Sequence, residues 1–408
     1  MCWWSFDAFQ VPRQIVKRIR IAAYVIPKSL GDPTGQAKHA INMLLCLARR
    51  PDVELTLLAG KDQLTDEGRI PEGSPLHGTP VRSIPAPAKG LHFLWRTFNW
   101  PPVDLWCGKA DWVYSPTEMY VPARKARIAA TVHCVNWFED DLPWSHTKQN
   151  LVDRRRMARV FLPLLQRADL VVTVSEFLKR RICELFQVNP ERVAVVGNGV
   201  EDCFFEMGRR AMNALPPAGT GRYVFAVAYP DRRKGFDRLI ELADELARRN
   251  GSLRVRVAGS GLAPGQSLAE VRRLWGAEVA ALLAEGLKRP NLELLGYRPA
   301  DEIARLMQQS VAVLVLSRYE TFGIPALEAM AAGAPVIAAH HAGLPEVVSD
   351  VGVIVDPSRI PELADLIMRM ESRPDARAQA TRRGRARAEQ FTWDACADKL
   401  VGELRRRA

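Results

Sequence analysis

Residues 310–339 have the sequence SVAVLVLSRYETFGIPALEAMAAGAPVIAA. The apolar run from Val311 to Leu316 has the length of a buried strand, and a helical pattern of small residues follows from Pro325 to Gly333. Residues 334–339 form a second apolar run. A strand, a helix and a strand in this order predict a crossover unit, in which the two strands are parallel and the helix covers one face of their sheet.

The same alternation extends through both halves of the chain. In the first half, it predicts strands over 19–26, 53–60, 110–116, 128–134 and 168–175, and helices over 36–49 and 149–166. In the second half, it predicts strands over 223–228, 253–259, 291–296, 310–317, 334–339 and 351–355, and helices over 236–249, 325–333 and from Thr392 onwards. Residues 207–221, rich in proline and glycine, predict a linker. We therefore expect an α/β protein with two doubly wound domains that face each other across a ligand-binding cleft.

The composition is that of an ordinary globular protein, because 48% of the 408 residues are hydrophobic and 25% are charged. It excludes a disordered chain, a collagen-like chain and a small disulfide scaffold. No apolar run approaches the ~20 residues that a membrane-spanning helix needs. Lys and Arg total 57 against 46 Asp and Glu, and the net charge of +11 fits an anionic partner. A nucleotide, a phospholipid surface, nucleic acid and a merely basic surface all remain open at this point.

The seven cysteines are scattered and include no C-x-x-C pair, so the sequence lacks the spacing of a zinc or iron–sulfur site. Such cysteines are typical of reduced thiols and predict a cytoplasmic protein. Two aromatic segments leave peripheral membrane contact open. The first is the N-terminus, which combines Trp3, Trp4, Phe6 and Phe9 with Lys17, Arg18 and Arg20. The second runs from 91 to 106, where core packing and an apolar lip for a lipid-linked acceptor are alternatives for Trp95, Phe98, Trp100 and Trp106.

The loop before the helix at 325–333 has the features of an anion site. Gly323 allows a tight turn, and Pro325 suits the first helical position because its missing N–H has no partner there. The free backbone N–H groups of Phe322, Gly323 and Ile324 then favour a phosphate, together with the dipole of the helix.

Two acidic residues flank this loop. Glu328 is expected in the first turn of the helix, where its carboxylate accepts hydrogen bonds from the hydroxyls of a ribose. Glu320, eight positions earlier, faces another part of the same ligand. An acidic first turn that only stabilises the helix is the alternative.

These residues resemble a known family. The spacing from Glu320 to Glu328, followed by GAPVI at 333–337, resembles the E-x7-E signature of the retaining glycosyltransferases of family 4 (glycosyl transferases group 1), and the chain looks like their O-antigen mannosyltransferases. Other segments agree in order, namely ADL at 168–170, TVSE at 173–176, NGV at 198–200, KG at 234–235, GSG at 259–261, GLPEV at 343–347 and FTW at 391–393. The resemblance runs from about Arg18 to the end and implies the GT-B fold, with two Rossmann-like domains.

The resemblance also implies roles for individual residues. Glu328 holds the nucleotide ribose, Glu320 contacts the transferred sugar, and Lys234 neutralises the diphosphate. His133 positions the donor sugar, with a purely structural histidine as the alternative. The remaining donor-binding residues that the resemblance implies are Gly35, Arg233, Arg298, Thr321, Phe322, Gly323 and Ile324. For Gly35, an ordinary helix start capped by Thr34 is the alternative.

The chain departs from the family pattern at two places. Many relatives carry Gly-Arg shortly before the clamp lysine, where this chain has Ala228 and Tyr229, so Arg232 or Arg233 is expected to supply the second positive charge. Many relatives have an aspartate after the histidine, where this chain has Cys134. The acidic residues 139–141 are expected to form a solvated turn, and no metal site is predicted.

These features predict a retaining, metal-independent hexosyltransferase without a cofactor. It is expected to move mannose or glucose from a GDP-sugar or UDP-sugar to a hydroxyl of a glycan or lipid-linked acceptor. A nucleotide-sugar epimerase of similar fold and a non-catalytic, basic polyanion-binding protein are the alternatives, and nucleic acid is not an expected partner. The expected domains are an extension (1–17), an acceptor domain (18–197), a nucleotide-sugar domain (198–385) and a C-terminal helix (386–408) that packs towards the first domain.

Overall fold

The computed structural model describes residues 18–26, 34–213, 223–249, 251–259, 261 and 266–408. The N-terminal extension (1–17), with Trp3, Trp4, Phe6, Phe9 and Lys17, lies outside the described residues, whereas Arg18 and Arg20 lie within them. The second part of the predicted linker, from residue 214, also lies outside them.

The first half of the chain forms one parallel sheet with helices on both faces. Its strands are β1 (Ile19–Tyr24), β2 (Val53–Gly60), β3 (Val81–Ile84), β4 (Trp112–Ser115), β5 (Arg127–Val132), β6 (Leu170–Thr173) and β7 (Val193–Val195). Its helices are α1 (Gly35–Arg49), α2 (Ala88–Phe98), α3 (Asp104–Cys107), α4 (Lys148–Arg167) and α5 (Glu176–Phe186). The strands lie in the order β3-β2-β1-β4-β5-β6-β7, and all neighbours are parallel.

The second half repeats this architecture. Its strands are β8 (Tyr223–Val227), β9 (Arg254–Ala258), β10 (Leu292–Gly296), β11 (Val313–Val315), β12 (Val336–Ala339) and β13 (Val353–Val355). The helices are α6 (Asp202–Asn213), α7 (Phe236–Arg249), α8 (Leu268–Trp275), α9 (Ala277–Leu287), α10 (Ala300–Gln309), α11 (Ile324–Ala331), α12 (Leu344–Val348), α13 (Ile360–Glu371), α14 (Pro374–Ala388) and α15 (Trp393–Arg406). The parallel strands lie in the order β10-β9-β8-β11-β12-β13.

Both sheets reverse their strand order beside the first strand of the domain, between β1 and β4 and between β8 and β11. This is the doubly wound arrangement that the alternating sequence predicted. Loops at the carboxyl ends of the strands on either side of such a switch point diverge and leave a crevice for a ligand. The expected place for a site is therefore the loops after β1 and β4 in one domain, and after β8 and β11 in the other.

The last helix, α15, packs on the first domain. Its apolar side chains join the core formed by α1 and one face of the first sheet, and the indole N–H of Trp112 donates to the carbonyl of Leu404 at 3.1 Å. The chain therefore crosses between the domains twice, at residues 198–200 and 391–393, where Val200 pairs with Thr392. Gly199 is required at this crossing because a Cβ there would lie 2.3 Å from the nitrogen of Trp393. The four domain limits proposed from sequence stay a prediction.

The predicted linker is wrong over its first part, because α6 continues to Asn213. Glycine and proline suggested a loose segment, yet Phe204, Phe205 and Met207 recur at helical spacing and pack in the core between the domains. Gly208 lets the helix approach α11, since a Cβ at this position would lie 2.1 Å from the carbonyl oxygen of Ala331. Here tertiary packing outweighs the low helix propensity of glycine.

Candidate active site

Loops at the carboxyl ends of the two sheets meet at the cleft. Thr321, in the loop after β11, donates its hydroxyl to the carbonyl of His133 after β5 at 2.7 Å. The hydroxyl of Ser175 donates to the carbonyl of Thr321 at 2.6 Å. These bonds join the carboxyl ends of the two sheets, and most of the residues that the resemblance singled out lie around them, with Arg298 as an exception.

Lys234 and Glu320 form an ion pair in this cleft. The ammonium of Lys234 lies 2.5 Å from Oε2 of Glu320, and Ser317 donates to the same oxygen at 3.4 Å. Gly235, at φ 71°, lets the lysine loop cross β11, because a Cβ there would lie 2.2 Å from the carbonyl oxygen of Leu316. Burial acts to raise the pKa of Glu320, but the nearby charges of Lys234 and Arg233 outweigh it and the pKa is lowered. The carboxylate is therefore ionised and holds the lysine at the cleft.

The structure distinguishes the two arginines beside this lysine. Arg232 points away from the pair, with its guanidinium 3.0 Å from Glu278 and 3.6 Å from Asp237. Arg233 is close enough to lower the pKa of Glu320, and its charge also opposes the effect of burial on Cys134, whose pKa is raised to about 11. The guanidinium of Arg233 lies 3.7 Å from Asp231, and of the two arginines it is the one whose charge acts on Glu320.

The turn at 322–324 has the backbone geometry expected of an anion site. Gly323 adopts φ 102° and ψ 52°, and a Cβ there would lie 2.6 Å from Cδ2 of Leu344. Among the described residues, no hydrogen-bond acceptor satisfies the N–H groups of Phe322, Gly323 or Ile324. The side chain of Phe322 is buried against Phe391, so this residue offers only its backbone to a ligand.

Gly35 brings a second helix start to the same place. A Cβ on Gly35 would lie 3.3 Å from Cδ1 of Ile324, so the N-terminus of α1 faces the N-terminus of α11 across the cleft. Thr34 caps α1 by accepting from the N–H of Ala37 at 3.2 Å, as the structural alternative predicted. Gly35 therefore lies both at an ordinary capped helix start and at the cleft, so the two alternatives do not exclude each other. Two converging helix N-termini favour an anion between them.

Glu328 lies deeper than predicted. Because α11 begins at Ile324, Glu328 is in the second helical turn and not in the first, and only 4% of its surface is exposed. The ammonium of Lys38, from the other domain, lies 2.5 Å from its Oε1 and 3.4 Å from Glu201. Burial raises the pKa of Glu328, although Lys38 acts in the opposite direction. A dipole-stabilising acidic first turn is therefore wrong for this residue.

His133 is held between the loops after β4 and β11. Its backbone N–H donates to Glu118 at 2.6 Å, and its ring nitrogen Nε2 lies 2.9 Å from the carbonyl oxygen of Pro116. A carbonyl only accepts, so this contact assigns the proton to Nε2. The ring of His39 packs edge-to-face against His133 with centroids 4.8 Å apart. His39 in turn contacts Asn198, with Nδ1 2.8 Å from its Oδ1.

Arg298 is not brought to this cluster. It follows β10, and its guanidinium lies 3.3 Å from Glu302 and donates to the carbonyl of Tyr297 at 3.0 Å. Within the described ranges, no hydrogen bond or ion pair joins it to Lys234, Glu320 or Glu328. Its role at the base stays a prediction.

The acidic residues 139–141 do not form a solvated turn as a whole. Glu139 is buried and accepts from Arg181 and from the hydroxyl of Tyr319, the latter at 3.0 Å, so it joins the two domains. Asp140 pairs with Arg154 at 2.7 Å. In the described part of the chain, no group of three or more His, Cys, Asp and Glu side chains is arranged to hold a metal ion. Independence from a metal stays a prediction.

Comparison with known proteins agrees with this geometry. Residues 33–202 match the family described as Glycosyltransferase Family 4, and residues 209–387 match the glycosyl transferases group 1. The chain is a GT-B glycosyltransferase. This glycosyltransferase is 28% identical to O-antigen chain mannosyltransferase B of Escherichia coli over 71% of its own length and 73% of that protein. It is 29% identical to D-inositol 3-phosphate glycosyltransferase of Segniliparus rotundus, over 73% of this chain but 64% of that one.

Solved structures share the fold over nearly the whole length. Sucrose-phosphate synthase from Thermosynechococcus elongatus superposes with a TM-score of 0.65 at 21% identity, covering 96% of this glycosyltransferase and 99% of that chain. Anabaena HepE in complex with UDP-glucose superposes with a TM-score of 0.64 at 19% identity, covering 95% of this glycosyltransferase and 100% of the HepE chain. At such identities the likeness concerns the fold alone.

Sequence reasoning missed two residues of the glycosyltransferase cleft, Lys38 and His39. One feature in the sequence pointed to Lys38: it is the fourth residue of α1, where a positive charge opposes the helix dipole. His39 occupies an apolar position of the same helix and is typical of a core residue. Their contacts join segments 290 and 159 residues apart, which no local pattern indicates.

The buried His39 makes stability depend on pH. The pKa of His39 is lowered from 6.5 to about 3. Burial is the main cause, and the charge of His133 acts in the same direction. The unfolded chain therefore binds one more proton than the folded glycosyltransferase below pH 6.5, and the stability present above that pH is lost as the pH falls towards 3. We expect the free energy of unfolding to lose about 1.4 kcal/mol per pH unit through this residue.

Urea denaturation of wild type and His39→Phe across this window measures the effect. In the variant, the free energy of unfolding should lose the pH dependence that His39 contributes. It should keep the part contributed by His92, whose pKa is lowered by burial to about 4. Identical slopes for the two proteins would contradict the assignment.

Proposed function

We propose that this glycosyltransferase moves a hexose from a GDP-sugar or UDP-sugar to a hydroxyl of a glycan or lipid-linked acceptor, with retention of the anomeric configuration. The observation that carries the proposal is the convergence of Lys234, Glu320 and the unpaired N–H groups of the turn at 322–324. A mannose donor is favoured by the similarity to O-antigen chain mannosyltransferase B, and a UDP-sugar by the shared fold of HepE bound to UDP-glucose.

The leaving diphosphate takes the place that Glu320 now has beside Lys234. As the bond from the anomeric carbon to the diphosphate oxygen breaks, negative charge grows on the diphosphate, and the ammonium of Lys234, the guanidinium of Arg233 and the helix start stabilise it. Glu320, released from the lysine, accepts hydrogen bonds from the sugar. His133 and Thr321 fix the position of that sugar at the cleft.

The acceptor hydroxyl attacks the same face that the diphosphate leaves. A new bond forms between its oxygen and the anomeric carbon, and its proton passes to a phosphate oxygen of the departing diphosphate. This route requires no enzyme nucleophile, metal or cofactor, because placement and charge stabilisation supply the acceleration. Closure of the domains about residues 198–200 excludes water from the reaction.

A screen of nucleotide sugars tests the proposal. A donor at 100 times its Kd stabilises the folded protein by about 2.7 kcal/mol, which thermal unfolding detects. The stabilising donor is then incubated with and without glycan acceptors, and the anomeric configuration of the product is determined by NMR. An epimerised sugar without acceptor would favour the epimerase, and polyanion binding without donor turnover would favour the binding protein.

Lys38 gives a sharper test of the ribose contact that we propose for Glu328. Without Lys38, the buried carboxylate loses its cation and its pKa rises further, which favours the protonated form, a weaker acceptor for ribose hydroxyls. We expect Lys38→Met to weaken nucleotide binding about tenfold at neutral pH, and its affinity to increase with pH. Lys38→Arg should restore most of the affinity. Calorimetry that finds wild-type affinity in Lys38→Met at every pH would contradict this.

A further inference from the structure

The outer face of the first domain carries large apolar side chains that its core does not use. α2 buries Ala88, Leu91 and Trp95 against the sheet, and the indole N–H of Trp95 donates to the carbonyl of Pro101 at 2.9 Å. The opposite side of this segment and the neighbouring α4 expose Phe93 (52%), Phe98 (63%), Trp100 (53%) and Leu162 (44%). The rings of Phe93 and Phe98 pack edge-to-face with centroids 6.2 Å apart. Clustered exposed aromatic residues of this size mark an interaction surface.

Positive charge accompanies these side chains. Arg96 and Arg159 line a groove between α2 and α4, together with Leu162. Arg155 and Arg156, which also belong to α4, are exposed. In the described part of the protein, none of these four arginines forms an ion pair, whereas the neighbouring Arg154 is paired with Asp140. The α2–α4 face, defined by Phe93, Arg96, Phe98, Trp100, Arg159 and Leu162, therefore combines apolar surface with uncompensated positive charge.

A bilayer that contains anionic lipid fits both properties at once. Its phosphate groups attract arginines near the surface, and its interfacial region accepts aromatic rings whose edges remain near water. The attachment needs no spanning segment, and none of the helices that the structure describes has the length and apolar character to cross a membrane. A double-helical nucleic acid would use the arginines, but its bases are stacked inside, so it would leave the aromatic side chains without an apolar environment.

We propose that the α2–α4 face docks this glycosyltransferase onto an anionic lipid bilayer. Arg96 and Arg159 bind lipid phosphates, and Phe98 and Trp100 insert between headgroups. The inference rests on exposure and charge in the first domain and is independent of the donor and of the transfer chemistry.

Co-sedimentation of the full chain with vesicles tests this proposal. We expect binding to vesicles of phosphatidylcholine mixed with phosphatidylglycerol, little binding to phosphatidylcholine alone, and loss of binding as salt is raised. Arg96→Gln and Arg159→Gln should each weaken binding about fivefold. The double variant Phe98→Ser/Trp100→Ser should weaken it about tenfold. Nucleotide binding should stay at the wild-type level in all of these variants, which shows that they fold.

Matched substitutions on the second domain serve as controls. Leu287→Ser removes an exposed apolar side chain from the end of α9, and Arg382→Gln removes an exposed arginine from α14. Both should bind vesicles as wild type does. The proposal is overturned if the wild-type protein does not bind the anionic vesicles, if the controls lose as much binding as the α2–α4 variants, or if only nucleic acid and not lipid is bound through this face.

Discussion

Replacing Lys234 by alanine is expected to lower the rate of sugar transfer by about 10²–10³-fold. In the proposed reaction, the turn at 322–324 offers its N–H groups to the leaving diphosphate, and the charge of Lys234 acts most strongly where negative charge develops. The loss should therefore appear mainly in kcat. The fold should persist, because the side chain belongs to a loop after β8 and contributes nothing to the hydrophobic core.

The same variant has a second consequence through Glu320. This carboxylate loses the positive charge that offsets its burial, so its pKa rises. Lys234→Arg keeps the charge and should retain more activity than Lys234→Ala. Lys288→Ala, which removes an exposed lysine of the same domain paired with Glu285, is the matched control and should act like wild type. Wild-type turnover in Lys234→Ala would contradict the proposed role in the leaving group.

Replacing Glu328 by alanine is expected to weaken nucleotide binding by about 1.5–3 kcal/mol, which corresponds to roughly 10–100-fold in Kd. In the proposed role, a charged acceptor for two ribose hydroxyls is lost, and Lys38 keeps its more distant ion pair with Glu201, at 3.4 Å. Isothermal calorimetry with the nucleoside diphosphate of the donor measures the effect. Glu328→Gln preserves the shape of the side chain and should lie between the alanine variant and wild type.

Comparing nucleoside diphosphate with monophosphate separates the two roles. Glu328→Ala should weaken binding of both, because both contain the ribose. Lys234→Ala should weaken mainly the diphosphate, because the lysine acts on the leaving phosphates. If Glu328→Ala bound both nucleotides with wild-type affinity, the ribose contact would be wrong while the role of Lys234 could still stand.

The charges in the cleft form two ion pairs, and each of these variants breaks one of them. Each of the two carboxylates of the E-x7-E spacing has a lysine partner at 2.5 Å, Lys234 for Glu320 and Lys38 for Glu328. The first pair lies within the second domain, whereas the second pair connects the domains. A donor that binds at Glu328 therefore acts on a contact that holds the domains together, which links donor binding to their relative arrangement.

Much of the fold follows from local sequence. Helix α7 spans 236–249 and β2 spans 53–60 in the structure, and the sequence predicted both ranges. The turn at Gly323 was also predictable, because glycine readily adopts the positive φ of a tight turn and Pro325, two residues later, indicates a helix start. Where two local patterns competed, prediction failed: residues 207–221 contain glycine and proline, but α6 continues to Asn213, because its earlier side chains Phe204, Phe205 and Met207 pack in the core.

The sequence by itself determined the two doubly wound domains and the acidic pair flanking a glycine turn, because hydrophobic periodicity and backbone constraints act over a few residues. Only the tertiary structure decided that the charge of Arg233 rather than that of Arg232 acts on Glu320, that Glu139 is buried between the domains, and that Lys38 reaches Glu328. Each of these depends on segments far apart in the chain that the docking of the two domains brings together. Burial and charge pairing are properties of that docking, so no local window of sequence contains them.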